Sequence, residues 1–260
     1  MKNLFKILLV GIISTICRIL VQFLIPAGKQ TVLQPSLFAT NGTMQMAFSL
    51  YGIIVYSLIA SLFFLICNHL SGNRILQGLK YGLSCCVVWI AYLYEPLPHV
   101  VWIDRITYPL ADGVTLLIMG LLLGILFGKT RNVWVPKVLV KDMIPLITIS
   151  VCFTVGRLIQ YNIFDIYSSF NNKHLETMIW CVFTGLIIAG TMIWLNRYIR
   201  GKNKISRAII IGSLLFGLDL LLFNFFMPLV FKVDIWDLIL RTVIDICAVT
   251  LGCLTLKHYD

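Results

Sequence analysis

The sequence predicts an all-α polytopic membrane protein: eight transmembrane helices in two parallel four-helix repeats, related by a pseudo-twofold axis along the membrane normal. Three observations predict it. The 260 residues are 59% hydrophobic and 12% charged, whereas a water-soluble domain carries about 25% charged residues. Apolar stretches of roughly 20 residues, the length needed to cross a hydrocarbon core, recur along the chain. The two halves also carry polar residues in the same order.

The first span, over 4–25, follows Lys2 and Lys6 and holds Arg18 and Gln22. It has no small-residue cleavage site before Pro26, so it reads as a retained helix rather than a signal segment. The second span covers 47–68, before the basic turn Ser71-Gly72-Asn73-Arg74, and the third covers 76–95, ending at Pro96 and Pro98. The fourth, over 106–127, ends on glycines 120, 124 and 128, a ridge that lets another helix approach closely. The second half repeats the rhythm at 144–164, 177–196, 208–226 and 235–256. Helices are required because every backbone polar group in hydrocarbon needs an internal partner.

Charge sets the orientation. With a formal net charge of +10, a nucleic-acid partner is the first alternative to weigh. The basic residues, however, cluster in alternate connections. Lys2, Lys6, Arg74, Lys80, Lys129, Arg131, Lys137, Lys141 and the run from Arg197 to Arg207 fall on one side, with Lys257. The other side holds Lys29, Arg105, Lys173 and Lys232 beside acids. That asymmetry is the cytoplasmic enrichment of Lys and Arg, so both termini are expected in the cytoplasm and no nucleic-acid partner is expected. Tyr92, Trp102, Trp134, Trp180, Trp236 and Tyr259 are expected as interfacial anchors. The expected location is a cell membrane of prokaryotic type, with lipids as the surrounding partner.

The duplication rests on polar and small residues. Leu58-Ile59-Ala60 and Asn68 match Leu186-Ile187-Ile188 and Asn196; Gly82 and Pro98 match Gly212 and Pro228. Asp104 and Asp112 match Asp237 and Asp245, and Arg18 matches Arg157, with Gln22 and Gln160 following. The repeats are expected over 1–135 and 136–260. Each has an even number of crossings, so both start on one side and the relation is parallel.

These residues are also the candidate site. At 1.5 Å per residue, Arg18 and Asp112 both lie roughly 10 Å below the outer surface. The same depth match holds for Arg157 and Asp245. Two pairs are therefore expected, Arg18 with Asp112 and Arg157 with Asp245, with Gln22 and Gln160 adding hydrogen bonds and Arg241 competing for Asp245. An unpaired Arg or Asp at the bilayer centre costs about 2.5–3.5 kcal/mol even on insertion scales. Each assembly either staples its helices together or lines a polar cavity. Asp219, in the middle of the seventh span, has no aligned carboxylate; the matching region is around Trp89. It is a candidate for cation or proton handling. Glu95, His99, Asp104 and Asp237 form an outer-face candidate group.

The eight cysteines lie in or near apolar spans without a paired CxxC motif, and read as small packing residues. No metal-ligand spacing, nucleotide loop or catalytic motif occurs, so no catalytic residue or cofactor is assigned. Three classes stay open: a small transporter or permease for a small-molecule substrate, a non-catalytic accessory, immunity or signalling protein, and an enzyme acting on lipid. Oligomeric state is not legible.

Overall fold

A computed structural model describes residues 2–26, 28–132 and 142–258. Trp134, Lys137, Lys141 and Tyr259 lie outside the described residues. Eight long helices dominate among the described residues: α1 Lys2–Leu24, α2 Met44–Leu62, α3 Arg74–Leu93, α4 Asp104–Phe127, α5 Met143–Asn162 and α6 His174–Asn196, then α7 and α8 Ile235–Cys253. Helix α7 is a composite of Lys204–Ala208, a π-helical run Ile209–Leu218, and Asp219–Asn224. Short helical turns lie at Leu37–Thr40 and Met227–Val230.

Among the described residues, seven helical segments, including α7 continued to Val230, are long and apolar enough to cross a membrane. Helix α8 has the length, 19 residues, but carries Asp237, Arg241 and Asp245, too many charges to qualify by composition. Its charges are not scattered. Arg241 and Asp245 are buried, whereas Val243 and Leu251 on other faces are exposed. The expected boundaries shift by a few residues. Helix α2 ends at Leu62 in a 3₁₀ turn over Phe63–Leu65 instead of running to Asn68. Glu95 lies just past α3 rather than in it.

The surface is apolar, as lipid solvation requires. Leu4, Phe5, Leu20 and Phe23 of α1 and Ile144 and Ile147 of α5 are exposed. Apolar contact therefore cannot hold the helices together against lipid, which is equally apolar, and close packing must do so. The glycine ridge of α4 does this against α3. A Cβ on Gly78 would lie 2.0 Å from the Gly120 carbonyl oxygen and 2.4 Å from Gly124 N, both backbone atoms. Gly78→Ala should therefore lower the melting temperature of the detergent-solubilised protein, costing about 1–3 kcal/mol or more as an overpacked contact. Gly190→Ala, with nothing within 4 Å, should leave it unchanged.

The strongest helix pairs fall within each half of the chain. Helix α1 packs on α2 and α4, and α3 packs on α4; α5 packs on α6 and α8, and α7 packs on α8. Between the halves, α3 meets α6, α2 meets α7, and α3 meets α7. On the face bearing the N-terminus, each half is tied by a buried side chain. Gln77 Nε2 donates to the carbonyls of Leu70 (2.8 Å), Gly72 (3.3 Å) and Lys129 (2.6 Å). Arg207 donates to the carbonyls of Lys202 and Lys257. Asn73 and Asn203 cap the helices that follow, accepting from Leu76 N and Ser206 N. On the opposite face the two halves are laced through their loops. Ser36 N donates to Val230 O and Lys232 N to Gln34 O, and Ser36 Oγ donates to Leu229 O at 2.7 Å.

Candidate functional site: a buried ion network and a separate buried carboxyl

The densest polar cluster lies toward the face away from the N-terminus, where α3, α5, α6 and α8 meet. Pro96 cannot extend α3 and disfavours helical backbone at the residue before it, so the chain turns at Glu95. That turn sends the Glu95 carboxylate inward, leaving the residue 4% exposed. Its Oε1 accepts from Arg157 Nη1 at 3.1 Å and from Tyr161 OH at 3.3 Å; its Oε2 accepts from Arg241 Nη1 at 3.0 Å.

Arg157 is 0% exposed. Its second terminal nitrogen donates to Asp245 Oδ2 at 2.7 Å. Asp245 also accepts from Gln160 Nε2 at 2.7 Å and from Tyr92 OH at 3.1 Å. The guanidinium is enclosed by rings, with its carbon 4.9 Å from the Trp180 centroid and 5.4 Å from those of Tyr92 and Phe153. Two cations and two anions make the cluster neutral, and desolvation costing several kcal/mol per ion is offset by the pairing. Two atoms remain orphaned: Arg157 Nε, a donor, and Gln160 Oε1, an acceptor.

Arg241 does not compete for Asp245 as expected. It pairs with Glu95 and donates to the Tyr167 carbonyl. The physical reason is Glu95 itself, which supplies a second anion from the other half of the chain. Sequence spacing within α8 could not show this.

In the first half, Arg18 Nε donates to Asp112 Oδ1 and Arg18 Nη1 donates to Gln22 Oε1 at 2.8 Å. The guanidinium lies 5.9 Å from the Phe48 ring centroid. This is a two-charge pair with no counterpart of Glu95, so the two halves differ in chemistry.

Of the outer-face candidates Asp104 stands apart, whereas Asp237 and His99 both meet Tyr167, whose carbonyl takes the Arg241 that pairs with Glu95. Asp104 accepts from Gly28 N at 2.8 Å, while Asp237 accepts from Tyr167 N at 3.1 Å. Glu176 pairs with Arg105 at 2.9 Å. Among the described residues, no three His, Cys, Asp or Glu side chains stand close enough to share a metal ion. His99 stacks on Tyr167, and its Nδ1 lies 3.2 Å from the Tyr167 hydroxyl.

Burial holds the His99 imidazole down to about 4 from the ordinary 6.5; Glu95 pulls upward and Arg241 downward. Between those pH values the unfolded chain binds a proton that the folded chain refuses. The contribution is therefore fully present above about 6.5 and is lost as pH falls toward 4. Melting temperature should drop across that window more steeply in the wild type than in His99→Gln.

Asp219 stands apart. It is 4% exposed, at the end of the π-helical run of α7. The Trp89 indole interacts with its carboxyl, yet Asp219 Oδ1 and Trp89 Nε1 complete no hydrogen bond of ordinary geometry. Beside it, between α3, α6 and α7, is a cavity of about 10 Å³ measured as space for the centre of a water molecule. Tyr81, Ser84, Cys85, Thr191 and Phe216 help to line it. That is room for roughly one water. Comparison with protein-family models, characterised proteins and solved structures gave no match.

Proposed function

We infer that the chain is a small membrane carrier whose polar pathway runs between two four-helix repeats, 1–135 and 136–260, and is closed on its outer side. All eight long helices cross the bilayer in this reading, with both termini cytoplasmic. The basic loops support that orientation. The charges of α8 support a crossing rather than oppose it, because Arg241 and Asp245 are buried in an internal network.

What supports the repeat is exchange of contacts. Swapping α1–α4 with α5–α8 turns the α3–α6 contact into α7–α2, and both occur. It also exchanges two cross-half hydrogen bonds. Trp180 Nε1 donates to Ala91 O at 2.7 Å, and Tyr51 OH donates to Leu222 O at 2.9 Å. The Gln77 and Arg207 ties, each joining the turn before its helix to the segment after the fourth helix of its half, follow the same exchange.

The observation that carries the transport reading is Asp219. A carboxyl buried beside a water-sized cavity, with an oxygen lacking a partner, needs a proton or a cation as its counterpart. The π-helical run reinforces it, since π-bulges occur frequently at functional sites. The outer network of Glu95, Arg157, Arg241 and Asp245 then serves as the closed gate. Purified protein in sealed vesicles, tested under imposed proton and sodium gradients, should pass one of these ions faster than protein-free vesicles. Rates no faster than those of protein-free vesicles for either ion would remove the carrier reading. The accessory reading is favoured by the complete pairing of the network's carboxylates, and vesicles without flux would support it.

A further inference from the structure

An open pocket, roomier than the cavity beside Asp219, lies at the face bearing the N-terminus, between the start of α1, the end of α2 and the end of α4. It encloses about 340 Å³. Its polar lining comes from Asn3, Lys6, Asn68, Lys129 and Arg131, with no Asp or Glu among the described residues. Phe64, Leu126 and Phe127 supply an apolar wall, and Phe64 and Phe127 meet edge to face at 5.0 Å.

The cations are positioned rather than loose. Arg131 is braced by Asn68, donating to its carbonyl at 3.0 Å and to its Oδ1 at 3.2 Å. Lys6 Nζ lies 3.4 Å from the Leu126 carbonyl and 5.6 Å from the Phe127 ring centroid. The Lys129 backbone is held on both sides by Gln77, N donating to Oε1 at 3.1 Å and O accepting from Nε2. Its side chain is thereby carried on a fixed stem, and it takes part in none of the ion pairs described.

Three cations around one cavity without an acid repel one another unless an anion joins them. The corresponding corner of the second half is built differently. There Asn196 is buried, donating to the Lys257 carbonyl, and the Arg207 guanidinium fills the space that Gln77 occupies in the first half.

The geometry points to a binding site for the phosphate headgroup of an anionic phospholipid, held by Lys6, Lys129 and Arg131. The mixed lining selects lipid over free phosphate. The cations lie at the ends of membrane-spanning helices, where headgroups sit, and the aromatic wall continues into the acyl region. Basic pockets between transmembrane helices on the cytoplasmic side bind such headgroups. This site does not depend on the transport reading.

Native mass spectrometry of the full chain, titrated with dioleoyl phosphatidylglycerol and with dioleoyl phosphatidylcholine, tests it. Phosphatidylglycerol should bind tighter. Lys129→Gln should weaken it about fivefold, the effect of one cation near a membrane surface. Lys204→Gln removes the same charge from an exposed position on the same face and should change nothing. Melting of both variants in phosphatidylcholine alone checks that they fold equally. Equal weakening by the two substitutions would mean diffuse attraction and overturn the site. So would equal affinity for the two lipids, or displacement of bound phosphatidylglycerol by inorganic phosphate.

Discussion

Exchanging the charges of Arg18 and Asp112 should preserve the folded protein, whereas the same exchange at Arg157 and Asp245 should destroy it. The first is a two-charge pair, so Arg18→Asp with Asp112→Arg restores opposite charges in contact. In the second, an aspartate at position 157 would stand beside Glu95, which now accepts from Arg157 at 3.1 Å. Two carboxylates would share one buried space, and the arginine placed at position 245 would stand one helical turn from Arg241, so like charges would meet on both sides. Arg157→Gln alone should also be severe, at about 3–5 kcal/mol, because removing one partner leaves buried charge uncompensated. Arg157→Met combined with Asp245→Asn should recover much of that loss, since Glu95 keeps Arg241. Yield and melting temperature in detergent read all four variants. Rescue by charge exchange at Arg157 and Asp245 would contradict the role given to Glu95.

Asp219→Asn should have the opposite profile: a melting temperature equal to or above that of the wild type, and flux reduced to the level of protein-free vesicles. Asparagine keeps the shape and removes the need for a proton or cation in a place where Asp219 Oδ1 has no partner. A purely structural aspartate would behave otherwise, losing stability when its charge is removed. Flux that survives the substitution would clear Asp219 of the carrier role and leave it as a packing residue.

The sequence made the membrane-spanning segments legible because lipid imposes length and apolarity on each crossing, and both can be counted residue by residue. Seven of the eight expected spans meet those demands in the structure. It also made the depths of Arg18, Asp112, Arg157 and Asp245 legible, since helical rise converts position into height. Azimuth was harder. Arg241 and Asp245 share a face of α8, which suggested competition for one partner, but Glu95 enters from a loop whose direction no periodicity encodes. The rings around Arg157 were hidden for a similar reason. Tyr92 and Trp180 read as interfacial anchors, because an aromatic near a span end is the same letter whether it faces headgroups or an arginine. The π-helical run of α7 left no sign in the apolar pattern Ile209-Ile210-Ile211-Gly212, where every register is equally hydrophobic.

The lacing of the two halves has a mechanical consequence. The loop bonds of Ser36 with Leu229 and Val230, the Glu95 bridges to Arg157 and Arg241, and the Trp180 and Tyr51 bonds all lie toward the face away from the N-terminus. The cavity beside Asp219 lies on the other side of them, among Tyr81 and Ser84 in the early turns of α3 and Thr191 and Leu195 in the last turns of α6. A rigid-body rotation of one half against the other would therefore pivot about the laced edge, like a book held at its spine. The pages part at the face that carries the chain's N-terminus.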